Sequence, residues 1–213
     1  MVDRIVERVD EEQLRRNLEK YRQMAVDLGA ADAKIITTDM VIVDERVRAK
    51  CIVPLCSNYG TNANCPPRGL DLDFVRTLVS KYKYAIFSCV RVPSDHMCGP
   101  DYREKGLAVR NAMKNFEIVS KVEAAAFYDG YYLAMGFGGG PCKRYFCPNE
   151  ECSALVPGQP CRHALRARVA MEGAGIHAWM MAAKVGWDLY PIGRTSQPSD
   201  APCASRLGLV LIH

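Results

Sequence analysis

The stretch YAIFSCVRV, from Tyr84 to Val92, gives the clearest strand signal in the chain. Its apolar run is short and is bounded by Lys83 and Pro93, as expected for a strand buried inside a sheet. A second apolar segment, GLVLIH at 208–213, predicts another buried strand. Both segments are predicted to be buried strands, and the patterns around them decide the fold class.

Helical patterns surround the two strands. Apolar residues recur at helical spacing from Asp10 to Leu28, where Asp10 is a candidate N-cap and Gly29 a candidate stop. Three more helices are predicted, at about 71–82, 105–127 and 171–186. The segment at 33–44 is rich in β-branched residues and predicts one or two further strands. This interleaving predicts an α/β fold of the mixed α+β kind, a single compact domain over 1–213 with a short mixed sheet and flanking helices.

The composition is that of an ordinary globular protein apart from its cysteines. Hydrophobic residues make up 49% of the 213 residues, enough for a core without disulfide staples. The net charge is +4 and the basic residues are scattered, which argues against a nucleic-acid partner. No run of about 18 apolar residues predicts a membrane span, and the N-terminal residues lack the apolar segment of an export signal. We therefore expect a cytoplasmic protein, in which disulfides are rare and bunched cysteines bind metal or take part in redox chemistry.

Seven of the ten cysteines fall in two irregular, cysteine-rich segments. The first cysteine segment, at about 50–69, carries the spacing Cys51-x4-Cys56-x8-Cys65 and is rich in Pro, Gly and Asn. Because it supplies three thiols, a metal bound there needs a further ligand or keeps one open position.

The second cysteine segment, at about 138–163, repeats the spacing as Cys147-x4-Cys152-x8-Cys161. It adds Cys142 upstream, again with a gap of four residues. Two segments with the same cysteine spacing indicate that the chain binds the same kind of metal centre twice. The second segment has the four thiols needed to close a metal site.

Zinc and iron–sulfur clusters are the two candidate cofactors. Structural zinc sites usually draw ligand pairs separated by two to four residues, so gaps of four are at the wide edge and zinc stays an alternative. A [4Fe–4S] cluster is wider than a single ion, and spacings of four occur in ferredoxins. The dipeptides Cys65-Pro66 and Cys147-Pro148 also resemble the cysteine–proline pair of bacterial ferredoxins. The sequence therefore favours two [4Fe–4S] clusters.

The fourth ligand of the first site has three candidates, Cys89, Cys98 and His96. Cys89 lies inside an apolar strand, where a cysteine is most often a small buried hydrophobe. If none of the three binds, the open iron can act as a Lewis acid on a small molecule, as an open catalytic metal position does.

Several motifs resemble one known family. They are RVRAKCIVPLCSNYGTNANCPP at 46–67, GYYLAMGFGGGPC at 130–142, CRH at 161–163 and MEGAGIHAW at 171–179. In this order they are similar to the cysteine-rich predicted metal-binding proteins of the domain of unknown function 2284 family. The resemblance implies a small cytosolic protein of anaerobes that binds metal, as iron–sulfur clusters, through both cysteine segments. The gaps of four in the second segment differ from the gaps of two that the resemblance leads us to expect.

The function predicted from the sequence is electron transfer. Two clusters in one small chain suit a protein that passes electrons to or from a redox protein partner in an anaerobic system. The first alternative is an enzyme that uses the three-cysteine cluster as a Lewis acid or reductant on a small molecule. The second is a zinc-stabilised adaptor without a redox role.

Overall fold

The strand predicted at Tyr84–Val92 is present and lies inside a five-stranded sheet. A computed structural model describes residues 4–6, 9–99, 106–193 and 195–213. Its strands are β1 (Asp32–Thr37), β2 (Tyr84–Val92), β3 (Met135–Gly138), β4 (Val169–Ala170) and β5 (Ala204–Leu211). They are ordered β1-β2-β5-β3-β4, and every pair is antiparallel except β3–β4, which is parallel. The sheet is therefore mixed, as the sequence predicted.

Six α-helices flank the sheet in the described residues. They are α1 (Glu11–Asp27), α2 (Glu45–Ala49), α3 (Leu72–Val79), α4 (Leu107–Tyr128), α5 (Cys142–Phe146) and α6 (Ala178–Lys184). The predicted start of α1 is confirmed, because the Asp10 carboxylate accepts a hydrogen bond of 2.8 Å from the Gln13 N–H. Gly29 follows the helix with a φ of +100°, a left-handed conformation suited to glycine. The predicted helix at 105–127 is α4, and Lys105 lies outside the described residues.

Both faces of the sheet are buried, which explains why β2 is apolar at most positions. Phe87 and Leu209 point to one face and pack in the cluster that includes α3 and α6 residues. Ile86 and Val210 point to the opposite face and pack with residues of α1 and α4. Neighbouring residues of a strand alternate between faces, so a strand covered on both sides is mostly apolar along its length. The chain thus forms one mixed α+β domain of three layers.

The helix predicted at 171–186 is wrong over its first turns. The chain turns through 171–177 instead, and Ile176 forms an isolated antiparallel bridge with Val43. Gly175 adopts a φ of +74°, which a regular helix does not contain. Helix α6 begins only at Ala178, after His177 has donated its backbone N–H to the Ile42 carbonyl at 2.7 Å. This turn brings the chain back beside the first cysteine segment.

No helix in the described ranges combines the length and the apolar character that a membrane span requires.

Candidate metal centre

Arg48 ties the first cysteine segment to the body of the protein. It lies on α2, which begins after Asp44 has capped the helix by accepting the Arg46 N–H at 2.8 Å. The Arg48 guanidinium donates to the Leu70 carbonyl at 2.8 Å and to the Gly173 carbonyl at 2.7 Å. Arg48 precedes the cysteines of this segment, Leu70 follows them, and Gly173 lies in the turn before α6, so one side chain holds the two ends of the segment together and ties them to that turn.

The three thiols of the first segment lie close enough to influence one another. Burial raises the pKa of the Cys51 thiol, and the neighbouring Cys56 and Cys65 raise that pKa further, while Arg48 lowers it. Burial also raises the pKa of Cys65, with Cys56 again among the causes. The Asn58 backbone N–H points to the Cys56 sulfur at 3.5 Å. The segment therefore gathers three thiols around a common region and supplies an N–H donor to one of them.

The glycine-rich run at 136–140, where the second segment begins, forms most of strand β3 and then lies close against β5. A Cβ on Gly139 would lie 2.9 Å from the Leu207 carbonyl oxygen, so only glycine allows β3 to leave the sheet this close to β5. The next residue, Gly140, donates its N–H to the Glu172 carboxylate at 3.3 Å. The chain then enters α5, whose first residue is Cys142. The glycines therefore lead into the cysteine segment partly as strand β3.

Cys142 stands where the two cysteine segments meet. Its sulfur accepts a hydrogen bond from the Asn64 side-chain amide at 3.4 Å, and Asn64 belongs to the first segment. Burial raises the pKa of Cys142 to about 11, Asn64 lowers it, and the thiols of Cys65, Cys161 and Cys152 raise it. Cys142 therefore contacts the first segment while lying near the cysteines of its own.

The rest of the second segment is a loop held mainly by hydrogen bonds to backbone groups. The Ser153 hydroxyl donates to the Pro160 carbonyl at 2.8 Å and accepts the Arg162 N–H at 3.2 Å, which brings the two ends of the long gap together. The His163 backbone N–H donates to the Cys161 sulfur at 3.4 Å. Cys147 follows α5 directly and caps it by donating its N–H to the Lys143 carbonyl. Arg168 anchors the segment through an ion pair with Glu123 and bonds to the carbonyls of 164 and 167.

The candidate fourth ligands each have local partners. Cys89 packs in the core beside Phe87, and burial raises the pKa of its thiol. Cys98 is also buried and donates its S–H to the Ser94 carbonyl at 3.2 Å. The Nδ1 of His96 lies 3.3 Å from the Asn111 amide nitrogen. None of these contacts is with a residue of either cysteine segment.

The donor set fits a metal that prefers sulfur. All ten cysteines are free thiols, and the segment thiols are surrounded by N–H donors and by Arg48, which suit thiolate ligands. As the side chains stand in the described ranges, no three His, Cys, Asp or Glu groups are close enough to hold one ion. Metal binding would therefore require the thiols to lose their protons and to rotate toward a shared centre.

Comparison with known proteins places this arrangement in a family. The family model of predicted metal-binding proteins, domain of unknown function 2284, matches residues 34–212. The chain belongs to this family. The family description supports a cysteine-rich, metal-binding protein and names no particular metal. No curated protein and no solved structure matches the chain.

In this family member the structure adds residues that the sequence did not single out. Asn62 and Asn64 lie in the Asn-rich part of the first segment, and the Asn62 side chain is fully buried. Glu172 acts electrostatically on both Cys51 and Cys65. The three asparagines between Cys56 and Cys65 were a sequence signal for Asn62 and Asn64. The sequence carried no such signal for Glu172, because its segment was predicted to be helical.

A pocket of about 660 Å³ opens beside the first cysteine segment. One wall comes from α2 and the residues after it, namely Arg46, Lys50 and Cys51. The facing wall comes from α6 and the turn before it, and includes Glu172, His177, Trp179 and Met180. Cys51 therefore belongs both to the gathered thiols and to a cavity large enough for a small molecule.

Proposed function

We propose that this protein binds two [4Fe–4S] clusters and transfers electrons to or from a redox protein partner in the cytoplasm of an anaerobic organism. Cys142, Cys147, Cys152 and Cys161 would hold one cluster. Cys51, Cys56 and Cys65 would hold the other, together with a fourth ligand from a residue near them. Glu172, which acts electrostatically on both Cys51 and Cys65, is a candidate for this role.

The observation that carries the proposal is the contact between Asn64 and Cys142, at 3.4 Å. It joins the two cysteine segments across 78 residues of sequence, so two sites built on them would be neighbours. Electron transfer slows steeply with distance, and neighbouring clusters in one chain suit a relay better than two isolated sites would.

The chain's own residues would set the properties of the two sites. N–H groups of Asn58, His163 and Asn64 already point at cysteine sulfurs, and such bonds offset negative charge on a thiolate. The Arg48 guanidinium lies near the thiols of the first segment, and its positive charge would likewise offset negative charge on a thiolate. An iron–sulfur cluster would supply the one-electron chemistry, and these residues would tune its potential.

The test is an iron and sulfide count on protein purified without oxygen. Two [4Fe–4S] clusters require about eight iron and eight sulfide per chain. The Cys56→Ser and Cys152→Ser variants should each lose about half of the iron, and the double variant nearly all of it. Protein that contains zinc and neither iron nor sulfide would contradict the proposal and favour the zinc-stabilised adaptor.

A second function is an enzyme that uses the first cluster on a small molecule. The observation that favours it is the pocket beside Cys51, which would give a substrate access to that site. Electron paramagnetic resonance of the reduced protein tests this alternative. A spectrum from the first site that changes when small molecules are added favours the enzyme, and a spectrum insensitive to all of them favours the relay.

A further inference from the structure

We propose that the pocket beside Cys51 binds a small organic anion with an apolar, ring-sized body. This inference deepens the second function above by naming a ligand class, and the pocket itself belongs to the chain whether or not a cluster is bound. The size of the pocket, its apolar wall and the hydrogen-bond donors among its polar groups support this ligand class.

The apolar wall is presented by α6. Trp179 and Met180 are 53% and 47% exposed, although they are among the largest apolar side chains on this surface. Ile176 and Ala178 lie behind them and are buried. A tryptophan and a methionine side by side offer a flat aromatic surface and a polarisable, adaptable one, a combination that suits a ring. The volume of about 660 Å³ lies within the usual range for small-molecule sites.

The opposite wall supplies positive charge. Arg46 lies in the first turn of α2 and Lys50 is its C-cap; they are four residues apart, so both side chains lie on one side of that helix. The Arg46 guanidinium is oriented by Asp44, whose carboxylate accepts its Nη2–H at 2.7 Å. The Lys50 ammonium carries three N–H donors and no acceptor. This wall therefore recognises groups that accept hydrogen bonds and carry negative charge.

The remaining polar groups have the same preference. The His177 Nδ1 accepts the Met180 backbone N–H at 3.2 Å, so the neutral imidazole carries its proton on Nε2 and is a donor there. The Glu172 carboxylate is the one acidic group in the pocket wall, and it accepts the Gly140 N–H at 3.3 Å. With that carboxylate bound to backbone, the donors of Lys50 and His177 favour a carboxylate, phosphate or sulfonate.

Fluorescence titration of the anaerobically purified full chain with an anilinonaphthalene sulfonate tests the inference. This probe combines an aromatic body with an anionic end, and its uncharged phenylnaphthylamine analogue serves as the comparison. Trp179→Ala should weaken binding of both probes at least about tenfold, equal to about 1.4 kcal/mol. Lys50→Gln should weaken the sulfonate about fivefold and leave the uncharged probe unaffected.

A matched control uses an exposed leucine in another cavity. Leu133 lines a pocket of about 670 Å³ near His213, and Leu133→Ala should change neither titration. Sulfonate binding that Leu133→Ala abolishes and Trp179→Ala leaves intact would overturn the inference. Equal loss of both probes in Lys50→Gln would overturn the assignment of an anion.

Iron counts on the same samples separate this inference from the proposed function. Sulfonate binding that depends on Trp179 and Lys50 in protein lacking iron supports the pocket while the cluster proposal fails. Protein with its full iron content and no binding of either probe overturns the pocket alone.

Discussion

The two cysteine segments share one spacing of cysteines and have different surroundings. In the first, Cys51, Cys56 and Cys65 act on one another, and an apolar pocket opens beside Cys51. In the second, Cys142 contacts the first segment. The cavity of about 590 Å³ beside Cys152 has a mixed lining, with charged groups that include two glutamates beside apolar residues such as Leu155 and Val156. Equal spacing therefore places thiols at equal intervals along the chain without giving them equal neighbours.

The difference arises from what precedes each ladder. The first follows a helix whose Arg48 lies near its thiols, whereas the second follows a glycine passage and a helix that begins with a cysteine. Under the proposed function, the first site would be compensated by a cation and open to a small molecule, whereas the second would be closed by an additional thiol. The first segment would then suit chemistry or ligand binding, and the second would suit storage of an electron.

The largest expected effect comes from removing the cysteine that joins the segments. Cys142→Ser should lower the iron content of both sites, because the Cys142 sulfur contacts Asn64 of the first segment and lies near the Cys65 thiol. Cys147→Ser should lower the iron content of the second site alone. Iron and sulfide counts with electron paramagnetic resonance measure the difference. Identical losses in the two variants would show that Cys142 serves its own segment only.

The next effect comes from the arginines that anchor the segments. Arg48→Met removes two charged hydrogen bonds to carbonyls and should cost about 2–3 kcal/mol in the free energy of unfolding. For a chain of this size that lowers Tm by roughly 4–10 °C in a thermal unfolding scan. Arg168→Met should have a similar cost through loss of the Glu123 ion pair. Arg15→Met serves as the control, because Arg15 forms only an exposed pair within α1. A Tm for Arg48→Met equal to that of the control would show that this anchor is dispensable.

A third effect is on the pH dependence of metal-free stability. The pKa of Cys142 is about 11 in the folded chain and near 9.0 when exposed, so the folded state holds its proton more tightly. Its contribution is fully present below about pH 9 and is lost as the pH rises toward 11. Raising the pH from about 8 to about 10.5 should lower the free energy of unfolding less in Cys142→Ala than in the natural chain. The difference between the two decreases should be about 2 kcal/mol. Denaturant titrations at both pH values measure it. A pH dependence of Cys142→Ala equal to that of the natural chain would contradict this prediction.

The smallest expected effect comes from removing the hydrogen bond that joins the two segments. Asn64→Ala removes one amide donor to the Cys142 sulfur and should cost less than about 1 kcal/mol, since the bond is long at 3.4 Å. Iron content should stay full, and the potential of the second site should become more negative, because a bond that offsets negative charge is lost. A redox titration against Asn149→Ala, a substitution in the cavity beside Cys152, gives the comparison. An unchanged potential would show that Asn64 plays no part in tuning.

Much of the fold was predictable because its signals are local. The apolar run of β2 has clear bounds, and Asp10 marks the start of α1 through its own side chain. The start of α6 was not predictable, because an apolar pattern at helical spacing does not report that Ile176 pairs with Val43. Strand β3 was hidden by its glycines, which carry no strand signal of their own.

The site was predictable in type and not in arrangement. Seven cysteines could be chosen from spacing alone, and their role as metal ligands stays a prediction. The contact of Asn64 with Cys142 depends on how β3 is seated against β5, and the position of Glu172 depends on a turn after β4. Such contacts arise from tertiary packing between distant segments, and a local pattern carries no information about them.

The position of β5 determines when this protein can complete its fold. It is the last strand along the chain, yet it lies between β2 and β3 and pairs with both. On the ribosome, both cysteine segments therefore emerge before the strand that joins the two halves of the sheet. Until residues 204–211 insert, β2 and β3 present unpaired edges and the thiols have no fixed platform. Cofactor loading should accordingly follow insertion of β5 into the sheet.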